Sequence, residues 1–193
     1  MLTRVGGWLF RNRTAIPLPI VLALLILPPS SSSIPMLWLG IAVTSAGELL
    51  RLSAVRHIGT VSRTRTDRLG PLVASGPFRW VRNPLYIGNV AIWIGLALVA
   101  RLPWLVVPIA VLLGFEYHAI VRWEEQLLAS RMGQPYIEYT RNVPRWLPRP
   151  SGRQARGVAP SFGWRETLFS ERGTVIAILA GLGLLWLRSK SEV

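Results

Sequence analysis

The sequence predicts an all-α integral membrane protein with about five transmembrane helices. Hydrophobic residues make up 51% of the 193-residue chain, and the mean hydropathy is positive, at +0.39. These apolar residues fall in runs rather than in amphipathic alternation, which is typical of helices surrounded by lipid. Arginines cluster beside the runs, where the positive-inside rule expects them.

Five apolar runs are the candidate spans. They cover residues 15–27, 34–50, 85–100, 102–120 and 174–187. The first run superficially resembles a signal peptide, but prolines and serines follow it in place of a small-residue cleavage site, so we interpret it as a membrane helix. The last run contains the small residues A-G-L-G at 180–183, which favour close helix packing.

Loop charge predicts the orientation in the bilayer. The N-terminal arm and residues 51–84 and 122–172 carry most of the arginines, whereas the turn at 28–35 carries no charge. The N-terminus and these basic segments are therefore expected on the cytoplasmic side. Arg188 and Lys190 conflict with this rule if the last run spans, but spanning is favoured because that run is apolar all round.

The composition excludes several classes of function. A net charge of +13 would suggest a nucleic-acid partner in a soluble protein, but here the arginines flank apolar runs. The absence of cysteine excludes disulfides, thiol nucleophiles and cysteine metal sites. Lys190 is the only lysine, which excludes Schiff-base chemistry everywhere except at the extreme C-terminus.

The chain divides into three predicted regions. Residues 1–50 form two N-terminal transmembrane helices, and residues 51–150 form a core of a basic loop, a helical hairpin and a C-terminal region. Residues 151–193 form a linker and an additional helix, since 151–160 lacks apolar residues to bury.

The stretch at residues 69–88 has the composition of a structured loop that leads into a helix. The pair Gly76-Pro77 predicts a turn, and Asn83-Pro84 predicts an extended residue followed by a helix start. Such a start leaves backbone N–H groups unpaired beside Arg82, at the positive end of the helix dipole. An anion or carboxylate can bind there.

Acidic and histidine residues in or near the spans are the other candidates. Glu48 is three residues from Arg51, which favours a structural ion pair, and Glu116 and His118 lie near the predicted membrane edge. The doublet Glu124-Glu125 is unusual in a region so rich in arginine. It is either a solvated helix start or a pair of carboxylates that hold a cationic ligand.

Two motifs in fixed order give these observations a context. The first is S-G-P-F-R-W-V-R-N-P-L-Y-I-G at 75–88; after two apolar spans comes E-E-Q-L-L-A-S-R-M-G-Q-P-Y-I-E-Y at 124–139, with V-P-R-W-L-P at 143–148. Over residues 69–148 the chain resembles the isoprenylcysteine carboxyl methyltransferase and phospholipid methyltransferase family. Members carry G-x-Y-x-x-x-R-H-P-x-Y, then E-E, G-x-x-Y-x-x-Y and a proline-rich end.

The resemblance implies methyl transfer from S-adenosylmethionine to a lipid-like or prenylated amphiphilic acceptor at the cytoplasmic membrane face. It implies a cofactor pocket made by loops and short C-terminal helices, and no metal. The implied cofactor-binding residues are Gly70, Pro71, Leu72, Val73, Phe78, Arg82, Asn83, Pro84, Leu85, Tyr86 and Glu124. The implied catalytic residues are Asn83, Arg122, Glu124 and Glu125.

Three positions depart from the family pattern. The family histidine is Asn83, which can hydrogen-bond but cannot titrate, so we predict a positioning role for it. A tyrosine is replaced by Phe78, which keeps the ring. An arginine linked with acceptor binding in the eukaryotic enzymes falls on Ile120; Arg122 is the nearest substitute, and the change disfavours a prenylcysteine acceptor.

The residues leave the acceptor and its base open. A carboxylate is already nucleophilic at neutral pH, whereas an ammonium group must first lose a proton, for which Glu124, Glu125 and His118 are candidates. The predicted partners are the bilayer and the amphiphilic acceptor, without nucleic acid, and the oligomeric state is not indicated. The alternative function is a non-catalytic scaffold or transporter subunit in which side chains fill the pocket at residues 70–86.

Overall fold

All the regular structure in the described residues, 2–30, 33–59, 72–148 and 162–191 of a computed structural model, is helical. The α-helices are α1 (Leu2–Asn12), α2 (Leu18–Ile26), α3 (Ile34–Ile58), α4 (Pro84–Val99), α5 (Val106–Met132), α6 (Gln134–Asn142) and α7 (Trp164–Ser191). Short 3₁₀ turns at Gly76–Arg79 and Pro103–Leu105 precede α4 and α5. The predicted all-α class is confirmed, and the predicted linker at 151–160 lies outside the described residues.

Two helical stretches in the described residues are long and apolar enough to cross a bilayer. They are Pro103–Met132, which includes α5, and Trp164–Lys190 of α7. A third apolar helix, α4, has only 16 residues, fewer than the roughly 20 that a span needs. The membrane class is therefore supported, whereas the prediction of five spans is not confirmed.

The first predicted span, residues 15–27, is wrong in its boundaries. Its regular part is α2, whose 9 residues rise only about 13 Å against a hydrocarbon core of about 30 Å. The preceding basic arm is itself helical, because α1 buries Phe10 against α5 and leaves Trp8 exposed on its other face. The N-terminal region is thus two short helices joined by a turn.

Glycines set the register between α3 and α4, which run antiparallel. Gly40 faces Gly95, and Gly47 faces Gly88; a β-carbon added at Gly40 or Gly47 would lie 2.7 or 2.8 Å from the opposite glycine's carbonyl oxygen. Backbones this close are typical of membrane helices that pack through small residues. This contact holds α4 firmly against α3 from Gly88, near its start, to Gly95.

Arg188 is accommodated by hydrogen bonds at the end of the molecule away from Pro84. Its guanidinium donates to the carbonyl oxygens of Leu24 (2.5 Å) and Leu27 at the end of α2. Those carbonyls have no partner within their own helix, and their dipole favours a cation. At the same end, the Ser30 N–H donates to the Arg101 carbonyl at 3.0 Å. The arginine that conflicted with the loop-charge rule therefore caps another helix.

A polar cluster around Arg51 attaches α7 to the other helices. The Arg51 guanidinium donates to Glu171 at 2.5 Å and to Thr174 at 3.3 Å on α7, and also to Asn89 on α4. Glu48 lies 3.5 Å from the Arg51 Nε, which confirms the predicted pairing along α3. Because these groups are largely shielded from solvent, each depends on the others for compensation of its charge.

Replacing Glu171 with glutamine should loosen α7. The Glu171 side chain is only 4% exposed, so losing its charge next to Arg51 should cost about 1–2 kcal/mol of unfolding free energy. Thermal unfolding in detergent measures the loss. The matched control is Glu138→Gln on α6, an exposed acid, which should leave the melting temperature unchanged. Equal melting of the two variants would show that the cluster does not hold α7.

Candidate functional site

The start of α4 follows a compact turn that only glycine accommodates. Gly76 has a φ of +54°, and a β-carbon there would collide with the His57 imidazole. Phe78, two residues later, is buried. The first intrahelical hydrogen bond runs from the Ile87 N–H to the Asn83 carbonyl. The N–H groups of Leu85 and Tyr86 therefore precede the helical ladder and remain as donors.

Residues 143–147, which we call the strap, cross this helix start. The Arg82 N–H donates to the Pro144 carbonyl at 2.9 Å, and the Asn83 amide nitrogen donates to the Arg145 carbonyl at 3.1 Å. The hydroxyl of Tyr139 on α6 donates to the Phe78 carbonyl at 2.7 Å. These bonds join the segment before α4 to the segment after α5 into one unit.

Tyr86 and Glu124 meet where α4 passes α5. The Tyr86 hydroxyl donates to one Glu124 carboxylate oxygen at 3.0 Å, and the other oxygen has no partner among the described residues. The Tyr86 ring stacks on Tyr117, with centroids 4.7 Å apart. Since Tyr117 and Glu124 are two turns apart on α5, the tyrosine is fixed from both sides.

Glu125 holds two guanidinium groups at once. Arg145 of the strap donates to both carboxylate oxygens, at 3.0 and 2.6 Å, and Arg82 lies 3.3 Å from one of them. The hydrogen bonds to Glu125 raise the pKa of Arg145 above its usual value, so the guanidinium stays charged. A carboxylate that is held by two guanidiniums is fixed in place and is therefore suited to positioning.

We call Glu125 with Arg82 and Arg145 the clamp. An open cleft of about 360 Å³ lies beside it, between α5, α6 and the strap. Its lining residues are Arg82, Arg122, Glu125, Gln126, Ala129, Tyr136, Ile137, Thr140 and Arg145. Three guanidiniums face one carboxylate, so the cleft favours an anionic group. Burial raises the pKa of the Tyr136 phenol, which therefore stays neutral and is no base at physiological pH.

Comparison with known proteins agrees with the two motifs. The family model for phospholipid methyltransferase matches residues 35–134, about half of the chain. The chain belongs to the phospholipid methyltransferase family. The match begins at α3 and ends at the start of α6, so α1, α2, the strap and α7 lie outside it.

Three relatives match parts of the chain. A cobalt-zinc-cadmium resistance protein of Cupriavidus metallidurans is 34% identical over 42% of this chain and 37% of its own length. Protein-S-isoprenylcysteine O-methyltransferase B of Arabidopsis thaliana is 26% identical over 56% of this chain and 57% of its own length. Phosphatidyl-N-methylethanolamine N-methyltransferase of Saccharomyces cerevisiae is 34% identical over 47% and 46%. The chain thus spans about half the length of these relatives or less, and no solved structure matches it.

The structure brings most of the predicted site residues of this family member together around the α4 start. Arg82, Asn83, Tyr86, Glu124 and Glu125 are joined by the bonds described above. Leu72 packs against the cluster formed by Ala74, Tyr136, Tyr139 and Val143, and Arg122 is exposed at the cleft. Of the remaining predicted positions, Phe78 and Pro84 are buried, and Val73 and Leu85 are half-buried. Gly70 and Pro71 lie outside the described residues. Neither His118 nor the buried Glu116 lines the cleft.

Three residues at the site were missed from the sequence. Tyr117 stacks on Tyr86, Arg145 clamps Glu125, and the charge of Arg13 at the end of α1 acts on Tyr86, Tyr117 and Glu124. Tyr117 stands seven residues before Glu124, a spacing that places both on one helix face. The signal for Arg145 was an arginine within a proline-rich end, whereas nothing local distinguishes Arg13 from the neighbouring arginines.

Proposed function

We propose that this protein transfers a methyl group from S-adenosylmethionine to a lipid-like or prenylated amphiphilic acceptor at the cytoplasmic membrane face. Family membership supports methyl transfer in general, and the relatives named as methyltransferases act on lipid-linked molecules. The cofactor, the acceptor class and the orientation are the parts that we add.

The observation that carries the proposal is the hydrogen bond between Tyr86 and Glu124. An enclosure for a sulfonium nucleotide requires the α4 start and the acidic doublet on one side of the bilayer and in contact. The distance of 3.0 Å between the two side chains supports the proposal, because it brings these two segments into contact. A merely structural protein does not require an open, charged cleft beside the contact.

The donor groups fit S-adenosylmethionine. The cofactor would supply an electrophilic methyl on a sulfonium. An acceptor heteroatom would form a bond to that methyl carbon while the carbon–sulfur bond breaks, and S-adenosylhomocysteine would leave. Its carboxylate would be held by the N–H groups of Leu85 and Tyr86 or by the buried Arg82 Nε, which has no partner among the described residues. Its positive charge would be met by Glu124 and by the faces of the Tyr86 and Tyr117 rings.

The residues of this chain contribute alignment rather than covalent chemistry. Tyr86 is fixed by its ring stack and its hydrogen bond, and the strap covers the start of α4, so water has restricted access. Asn83 donates to the strap carbonyl, which accords with a positioning role and requires no titration. If the acceptor is an amine, the unpartnered oxygen of Glu124 is the group placed to accept its proton.

Incubation of the purified protein with methyl-labelled S-adenosylmethionine and a total membrane lipid extract tests the proposal. We expect label in one amphiphilic product and cofactor binding by calorimetry. Glu124→Gln should lower the labelling rate about tenfold, because the carboxylate charge is lost while the hydrogen bond to Tyr86 can persist. Tyr86→Phe should weaken cofactor binding.

Glu138→Gln on α6 is the matched control, since its side chain is exposed outside the cleft. It should retain wild-type labelling and binding. Calorimetry without cofactor binding by the wild-type protein in detergent and in lipid would defeat the proposed function. Wild-type labelling by Glu124→Gln would remove Glu124 from the site but leave the function in place.

A further inference from the structure

The N-terminal helix is a built part of the site rather than a loose basic arm. A β-carbon at Gly6 would collide with the Ala119 carbonyl, and Gly7 lies against the Trp123 indole. Phe10 is buried, and its ring lies 5.1 Å from that of Trp123 between centroids. The close approach of α1 fixes the position of its C-terminal end, where Arg13 follows directly.

The Arg13 guanidinium has no anionic partner among the described residues. Its guanidinium lies 4.3 Å from the centroid of the Phe10 ring, and the residue is half-buried. No carboxylate of the described residues lies within ion-pair distance of it. Its five N–H donors also have no hydrogen-bond acceptor among the described residues. The Phe10 ring beneath it packs against Trp123, which directly precedes Glu124 on α5, so these contacts bring Arg13 close to the site.

The geometry of α5 places Arg13 on the side of Glu124 that is opposite the cleft. At 100° per residue, Trp123 and Glu125 project on either side of Glu124. Trp123 packs against Phe10 of α1, whereas Glu125 lines the cleft. Glu124 therefore has the charged cleft on one side and the packed helix α1 on the other.

The outer face of α1, which points away from α5, suits contact with an amphiphile. Val5 and Trp8 on this helix are 40% and 56% exposed, and tryptophan favours the membrane interface. Arg13 follows directly after this helix. A molecule entering from the bilayer along α1 would bring its head group to Arg13 before reaching Glu124.

We propose that Arg13 binds an acidic group of the methyl acceptor, a phosphodiester or a carboxylate, and so determines acceptor specificity. The proposal rests on the proposed function and assigns the cleft side to the cofactor. In a phosphodiester-linked amine the acid group would lie a few bonds from the nitrogen that receives the methyl group, whereas a carboxylate would itself supply the receiving oxygen. A guanidinium suits both acids, since it can donate two parallel hydrogen bonds to either.

The test measures labelling rates against increasing lipid extract for the wild type and for Arg13→Gln, Arg13→Lys and Arg11→Gln. Arg13→Gln should raise the KM for the extract about tenfold and leave the Kd for S-adenosylmethionine unchanged. Arg13→Lys should restore part of the loss because it keeps the charge. Arg11, which is exposed on the same helix, should behave as wild type when replaced.

Two defined probes distinguish the acid groups. Vesicles of phosphatidyl-N-methylethanolamine offer a phosphodiester, and N-acetyl-S-farnesylcysteine offers a carboxylate; the KM should rise for whichever is methylated. A wild-type KM for Arg13→Gln would overturn the inference, and so would a weakened Kd for the cofactor, which would assign Arg13 to the cofactor side. Loss of labelling by the wild-type protein itself would instead be the failure of the proposed function.

Discussion

Replacing Glu125 with alanine is expected to abolish measurable cofactor binding and to lower the unfolding free energy by about 3–5 kcal/mol. The carboxylate is shared by Arg82 before α4 and Arg145 in the strap, and all three side chains are at least 74% shielded from solvent. Its removal leaves two guanidiniums facing each other without compensation. The strap should then leave the α4 start, which loses its cover.

Thermal unfolding in detergent and calorimetric titration with S-adenosylmethionine measure the two effects. Glu138→Ala is the matched control, an exposed acid on the neighbouring helix. Arg145→Gln should cost less than Glu125→Ala, because it leaves the Arg82 pair in place. The double variant should be nearly as stable as Glu125→Ala alone, since both changes break the same bond. Additive losses would contradict a shared clamp.

Local signals were sufficient to predict several elements of the site. Asn83-Pro84 marks a helix start whatever surrounds it, and the structure begins α4 at Pro84. Gly133 ends α5 with a φ of +60°, a conformation that other residues rarely adopt. Both predictions depend on backbone preferences of a few neighbouring residues, and such preferences are contained in the sequence.

Long-range choices could not be predicted in the same way. Which of the many arginines would pair with Glu125 depends on how the strap returns to α4, some 60 residues earlier in the chain. The inclusion of Arg13 depends on the packing of Gly6 and Gly7 against α5, and glycines near a terminus carry no sign of their partner. The hydrophobic runs likewise predicted the membrane class. They did not predict that the first run would be helical only over α2, with a separate helix α1 before it.

The close contact between α3 and α4 is another long-range pairing of this kind, and it can be tested by substitution. Replacing Gly88 with leucine is expected to cost about 3 kcal/mol or more, since overpacking at a backbone contact cannot be relieved by a side-chain rotation. Its β-carbon alone would lie 2.6 Å from the Arg51 Cγ and 2.7 Å from the Gly47 carbonyl oxygen. Displacing Arg51 would also weaken its bonds to α7.

Gly114 on α5 provides a control with the opposite expected sign, because a β-carbon there meets nothing within 4 Å. Gly114→Ala should raise the melting temperature slightly, through an improved helix propensity of about 0.5–1 kcal/mol. Gly88→Ala has the same intrinsic gain and should nevertheless lower the melting temperature, because the added methyl forces the two helices apart. If both alanine variants were stabilised, α3 and α4 would be farther apart than the glycine contacts indicate. The contact with α3 would then not be what holds the α4 start in place.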